Sequence, residues 1–364
     1  MAGLSCGIVG LPNVGKSTLF NALTRKAAAA ANYPFCTIDP NVGIVDLEDP
    51  RLPILSKISR SQKIIPATVT FVDIAGLVKG ASQGEGLGNQ FLTNIRETDA
   101  IIHVVRCFQD DEVIHVAGRV DPISDIEIIN LELILSDLQM MENILGRLEK
   151  QGKGKKELAP TIETFKKAIT HLNQNKPLRT LSLTPEEKEH IENYPFLTNK
   201  KVIYVANVSE KDLPSMENEF VAKVREYAQK EGNEIIPVCA KLEEEVAQLS
   251  EAEAKEFLQS LGLEETGLNR LIRTAFNTLG LITYITTGEI ETRAWTIHEG
   301  TKAPEAAGKI HTDLQKGFIR AEVVSFDDMT EYGGRVGAKE AGKARSEGKE
   351  YIVQDGDVIL FFHN

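Results

Sequence analysis

The sequence predicts an α/β chain: a phosphate-loop nucleotide-binding domain, interrupted by an antiparallel helical hairpin, and a small β-rich domain after it. Three observations predict this. Gly10–Ser17 reads G-x-x-x-x-G-K-S, with the apolar run Cys6–Val9 before it and a helix-like stretch, Thr18–Leu23, after it. Ser124–Lys150 has no proline, and no glycine before Gly146, and its apolar residues recur mostly three to four apart. From about Leu281 the pattern changes to short β-runs (282–286, 290–297, 318–324, 357–362) with turn signals at Gly288, Gly300, Gly317 and Asp355-Gly356-Asp357.

Length and composition bound the possibilities. At 364 residues the chain is expected to hold two or three domains. Met1–Ser5 has no basic region followed by an apolar stretch, and no apolar run is long enough to span a bilayer. A soluble protein with no membrane contact is therefore expected. Cys6, Cys36, Cys107 and Cys239 are widely spaced with no C-x-x-C, which argues against zinc and disulfides and for a reducing cytoplasm. Net charge is −12 (41 basic, 53 acidic residues), which disfavours broad nucleic-acid coating but leaves room for local basic patches.

The phosphate loop sets the chemistry. Along Asn13, Val14, Gly15, Lys16, Ser17 and Thr18, backbone N–H groups and the helix N-terminus are expected to cradle the phosphates. Gly10 and Gly15 permit turns and approaches that a Cβ would block. Lys16 supplies a point charge, and the Ser17 hydroxyl is a candidate Mg²⁺ ligand. After the first helix, Tyr33–Asn41 carries two prolines and Thr37, the candidate to reach Mg²⁺ and the γ-phosphate in a nucleotide-sensitive segment. Ile64–Val72 reads as one strand running into Asp73-Ile74-Ala75-Gly76. Asp73 could hold Mg²⁺ through water, and Gly76 could offer its N–H to the γ-phosphate.

Leu77 stands where Ras-like enzymes carry the glutamine that orients water, so slow hydrolysis or another water-activating group is expected. A Gly-rich stretch with Gly80, Gly84, Gly86 and Gly88 follows and reads as a second switch loop. Phe108 ends the buried run 99–108, where it either stacks under a base or fills the core. His115 is the candidate to replace the missing glutamine, against the plainer reading of a loop histidine.

The helical stretch from Ser124, a Gly/Lys tip at 151–156 and the resumed helix at 158–175 read as a coiled-coil-type hairpin inserted at 122–200. From Arg147 to Lys156 there are five basic residues (147, 150, 153, 155, 156) against Glu149, a local patch suited to RNA phosphates or simply a solvated helix end. The sheet resumes at Lys200–Ala206, followed by Asn207-Val208-Ser209-Glu210. Where Ras-like proteins have N-K-x-D this chain has N-x-x-E, which puts two guanine hydrogen bonds in doubt and makes adenine plausible. Glu234–Val238 then leads to Cys239-Ala240-Lys241, which resembles the S-A-K loop that contacts the base through its backbone.

Together GLPNVGKST, PFCTIDPN, DIAGLVKGASQGEGLGNQFL, NVSE and Val353–Ile359 resemble the YchF subfamily of Obg-like ATPases over essentially the whole chain. The resemblance implies a Ras-like P-loop domain over 1–278 and a TGS-type β-grasp domain over 279–364. It also implies ATP preferred over GTP, Mg²⁺ dependence, a base pocket lined by Asn207 and Val208, and association with the ribosome or its large subunit. The reading that results is a monomeric slow ATPase acting as a nucleotide switch, whose ribosomal contacts are expected to include rRNA phosphates. Its alternatives are an Obg-type GTPase switch in which Glu210 still pairs with guanine, and a ribosome-binding module that senses ATP without hydrolysing it.

Overall fold

A computed structural model describes residues 4–30, 41–74, 87–110, 120–152 and 156–364. In chain order its elements are β1 (Ser5–Val9), α1 (Lys16–Ala30), β2 (Val42–Asp46), α2 (Arg51–Ser59), β3 (Lys63–Ile65), β4 (Thr68–Asp73), α3 (Leu87–Arg96) and β5 (Ala100–Arg106). The hairpin helices α4 (Pro122–Gln151) and α5 (Ala159–Leu172) follow, then α6 (Pro185–Glu192), β6 (Lys201–Asn207), α7 (Glu219–Glu231), β7 (Glu234–Val238), α8 (Ala240–Val246), α9 (Glu251–Ser260) and α10 (Gly267–Thr278). The chain ends with β8 (Leu281–Thr287), β9 (Glu291–His298), α11 (Ala303–Ile310), α12 (Thr312–Lys316), β10 (Phe318–Val324), α13 (Phe326–Glu331), α14 (Arg335–Glu340), β11 (Arg345–Glu347) and β12 (Val358–His363). No described helix is long and apolar enough to cross a membrane.

Two compact units result: residues 1–43 with 70–271, and residues 44–69 with 272–364. The first sheet has the order β2-β4-β1-β5-β6-β7, and its β4-β1-β5-β6-β7 run is parallel. Parallel strands covered on both faces read as near-continuous apolar runs, and every residue of β5 is buried. The expected hairpin is present. Asp121 caps α4 by accepting from Ser124 N–H at 3.2 Å, and Pro122 occupies the first turn, where its missing N–H costs nothing. Ile134 and Met141 of α4 share a core with Phe165, Ala168 and Leu172 of α5 and with Phe196. The buried Asp137 carboxylate fastens the return of the chain, accepting from Leu197 N–H (2.9 Å), Thr198 N–H (2.8 Å) and the Thr198 hydroxyl (2.7 Å). Tip residues 153–155 lie outside the described residues.

The second sheet, ordered β11-β10-β12-β8-β9-β3, is mixed: β8–β9 and β10–β12 are antiparallel, β12–β8 and β3–β9 parallel. Helix α11 lays Ala303, Ala306 and Ala307 on a core of Tyr284, Ile297, Phe318, Val323 and Ile359, giving a β-grasp arrangement.

Two expectations are corrected here. Ile64–Val72 is not one strand. Pro66 has no N–H to give a ladder, so β3 stops at Ile65 and pairs with β9, and β4 starts afresh at Thr68 in the other sheet. Residues 44–69 accordingly cluster with the C-terminal unit instead of falling within a 1–278 domain. Arg51 explains the attachment: its guanidinium reaches Asp355 (2.8 Å) and Thr283 Oγ1 (3.0 Å) while Asp49 braces it at 2.8 Å.

Candidate nucleotide site

The described residues that form the site lie at the C-terminal ends of β1, β4, β5, β6 and β7, as open parallel sheets dictate. The turn after β1 requires its glycines. Gly15 has φ +93°, and a Cβ there would lie 2.2 Å from Asn207 Nδ2. A Cβ on Gly10 would lie 2.9 Å from the Val104 carbonyl oxygen. Asn13 also sits at positive φ (64°), a conformation asparagine tolerates better than most residues. The loop delivers Lys16, Ser17 and Thr18 to the first turn of α1, with the Ser17 side exposed.

Asp73 closes β4 beside Ile8 of β1, and its carboxylate accepts a hydrogen bond from the Lys16 ammonium group. The donor set of Ser17 hydroxyl and Asp73 carboxylate is all oxygen and hard, and it suits Mg²⁺ completed by water and phosphate oxygens. No cluster of three or more His, Cys, Asp or Glu able to hold a metal by itself occurs among the described residues.

A cavity of about 870 Å³ opens beside the loop, lined among others by Asn13, Thr18, Phe108, Asn207, Val208 and Glu210. Asn207 is its keystone. The side chain is 5% exposed, donates to the Val14 carbonyl at 2.9 Å and accepts from Ala240 N–H at 3.0 Å. One amide thus ties the phosphate loop to the ends of β6 and β7. Phe108 lies half-buried in the cavity wall, with the Arg106 guanidinium 4.7 Å from its ring centroid. Arg106 is itself buried and is held by the carbonyls of Phe108 and Asp110, both at 3.1 Å.

Of the sequence-derived candidates, Asn13, Gly15, Thr18, Phe108, Asn207, Val208 and Glu210 surround this one cavity, with Lys16 and Asp73 paired to each other. Thr37, Gly76, Leu77 and His115 lie outside the described residues. Two side chains escaped the sequence reading. Arg106 could have been noticed as a charge ending an otherwise apolar buried strand. Lys241 lines the cavity as well, which the resemblance of its loop to a backbone-contacting S-A-K run does not indicate. His103, also on β5, is 2% exposed and burial pushes its pKa down to about 3, so it stays neutral and structural. Cys6, Cys107 and Cys239 are buried free thiols, and burial raises all three pKa values, that of Cys6 to about 12.

Comparison with known proteins now bears on the site. Residues 5–137 match the family model described as 50S ribosome-binding GTPase, and residues 281–364 match YchF-GTPase_C, described as a protein of unknown function (DUF933). The Ribosome-binding ATPase YchF of Escherichia coli O157:H7 is 56% identical over 363 residues, covering 100% of this chain and 99% of its own. The chain belongs to the YchF family. The YchF relative in Bacillus subtilis (strain 168), also named a ribosome-binding ATPase, is 54% identical over 363 residues, 99% of each chain. The solved structure of the Schizosaccharomyces pombe YchF GTPase superposes with a TM-score of 0.90 at 40% identity, covering 100% of this chain and 99% of that one. These YchF names disagree on the nucleotide, ATP in the two bacterial proteins and GTP in the yeast one.

Proposed function

We propose that this chain is a slow ATPase that acts as a nucleotide switch on the ribosome. The observation that carries the reading is the cavity wall. Asn207 is held as a structural clamp by one donated and one accepted hydrogen bond, Val208 is apolar, and the acid at the fourth position is the longer Glu210 in place of aspartate. A site that lacks a built partner for guanine does not select it. Phe108 supplies a stacking face that suits adenine as well.

In the proposed reaction, water attacks the γ-phosphorus in line, and the protein's contribution is positioning and charge. The phosphate-loop N–H groups from Asn13 to Thr18 hold the phosphates. Lys16 exchanges its contact with Asp73 for the phosphate oxygens and offsets their developing charge. Ser17 and Asp73, the latter through water, and Thr37 would hold Mg²⁺, which neutralises phosphate charge when bound. Gly76 N–H would face the γ-phosphate, and His115 would orient the water where Leu77 cannot. The partner is the large ribosomal subunit, met through rRNA phosphates by the basic hairpin tip and through the β-grasp unit, and the protein works in the cytoplasm as a monomer.

Calorimetric titration with ATP and GTP in the presence of Mg²⁺ tests the base reading. ATP is expected to bind at least about tenfold tighter, about 1.4 kcal/mol. Tighter GTP binding would make the chain a GTPase switch. Multiple-turnover phosphate release that disappears in Lys16→Ala establishes hydrolysis, and its absence in the unaltered protein would leave an ATP-sensing module. Co-sedimentation with ribosomes, with and without ATP, tests the partner.

A further inference from the structure

We propose that Lys241 is a specificity-determining residue of the base pocket: its ammonium group engages the Glu210 carboxylate and withholds it from guanine. The inference rests on the cavity being the purine site and goes further by naming the residue that decides between purines.

The geometry is direct. Lys241 Nζ lies 2.6 Å from Glu210 Oε2, and both residues line the cavity. The two side chains stand on backbones sewn to one anchor. Asn207, three residues before Glu210, accepts from the N–H of Ala240, the residue before Lys241. The pair is therefore placed by the same buried amide that holds the phosphate loop, although the side chains themselves are 46% and 68% exposed.

The chemistry follows from what each group offers. A free carboxylate only accepts, and guanine presents two donors along this edge, its N1–H and its exocyclic amine. An ammonium group only donates. With the pair formed, guanine meets a carboxylate with one oxygen already engaged and its charge offset by a cation that would oppose guanine's own donors. Adenine presents an acceptor at N1 and an amine donor beside it, and can use either partner. Discrimination of this kind works by making the wrong ligand unfavourable as much as by improving the right one. The hydrogen bond to Glu210 raises the pKa of Lys241, so the cation persists across the physiological range.

The test is calorimetry of the full-length protein with ATP and with GTP, in Mg²⁺, for the unaltered chain, Lys241→Met and Lys241→Arg. The unaltered chain is expected to prefer ATP. Lys241→Met is expected to narrow the ATP-to-GTP affinity ratio by about five- to tenfold, mainly by tighter GTP binding, because one charge-assisted hydrogen bond is gained as an exposed ion pair is lost. Lys241→Arg, which keeps the pair, is expected to retain the ratio. Adding Glu210→Gln to Lys241→Met is expected to abolish the gain for GTP, since the freed carboxylate is what reads guanine. A protein that prefers ATP and whose ratio is unchanged in Lys241→Met overturns the inference and leaves the ATPase reading standing. A protein that prefers GTP at the outset overturns both.

Discussion

In the first sheet β4, β1, β5, β6 and β7 run parallel, so their C-terminal ends lie along one edge, where the phosphate loop, Asp73, Phe108, Asn207 and Lys241 are found. In the second sheet β8–β9 and β10–β12 run antiparallel, and their connections divide between the two ends. Among the described residues both sheets have six strands. The difference teaches why the chemistry sits in one unit: parallel order makes convergence of loops automatic, whereas antiparallel order leaves surface instead of a cleft. It also changes what an odd residue means. In an all-buried parallel strand a polar side chain is costly unless partnered, so Arg106 and Asn207 are conspicuous and each proves to hold loops together.

The sharpest way to break the comparison is at Gly15. Its φ of +93° and the 2.2 Å approach of a Cβ to Asn207 leave no room for a side chain. Gly15→Ala is expected to weaken nucleotide binding by more than about 100-fold, over about 2.7 kcal/mol, while leaving the melting of the C-terminal unit unchanged. Equal losses in both units by hydrogen exchange would show that they do not stand independently.

A second prediction concerns Glu243 of α8, the helix that follows β7. It is 1% exposed, and its Oε1 accepts from Gly267 N–H at 2.6 Å at the start of α10. Burial raises its pKa to about 7 from 4.5, against the pull of the Gly267 and Leu268 amides, Lys26 of α1 and Arg270 of α10. The native state thus holds a proton that the unfolded state releases. Stability from this group is fully present below about pH 4.5 and is lost as pH rises through about 7. Glu243→Gln keeps the acceptor and removes the ionisation. Relative to the unaltered protein, it is expected to gain roughly 3 kcal/mol on going from pH 4.5 to pH 8 in denaturant titrations. A difference that does not change with pH would mean the carboxylate ionises there without strain.

The smallest effect is expected at Arg51, which fastens residues 44–69 to Thr283 and Asp355. Arg51→Met should destabilise the C-terminal unit by about 1–2 kcal/mol, because partly exposed charged pairs contribute modestly. ATP affinity should not move. A lowered affinity would show that this segment also shapes the nucleotide site.

Much of the architecture was legible because its signals are local. The phosphate loop is a contiguous motif. The hairpin announces itself through apolar spacing over Ser124–Lys150, found within the helix Pro122–Gln151. The N-x-x-E run sits at the end of β6, where the spacing placed it. The division of Ile64–Val72 between two sheets was not legible, because a short apolar run with one proline carries no record of which partner strand it will find.

The phosphate loop, the hairpin, the β-rich C-terminal unit and the family are each written in neighbouring residues and could be read without coordinates. Tertiary structure alone decided that residues 44–69 belong with the C-terminal unit, that one buried amide at Asn207 joins three loops, and that Glu210 meets Lys241. Those partners lie tens to hundreds of residues apart, and only the closing of a sheet brings such side chains within hydrogen-bond distance.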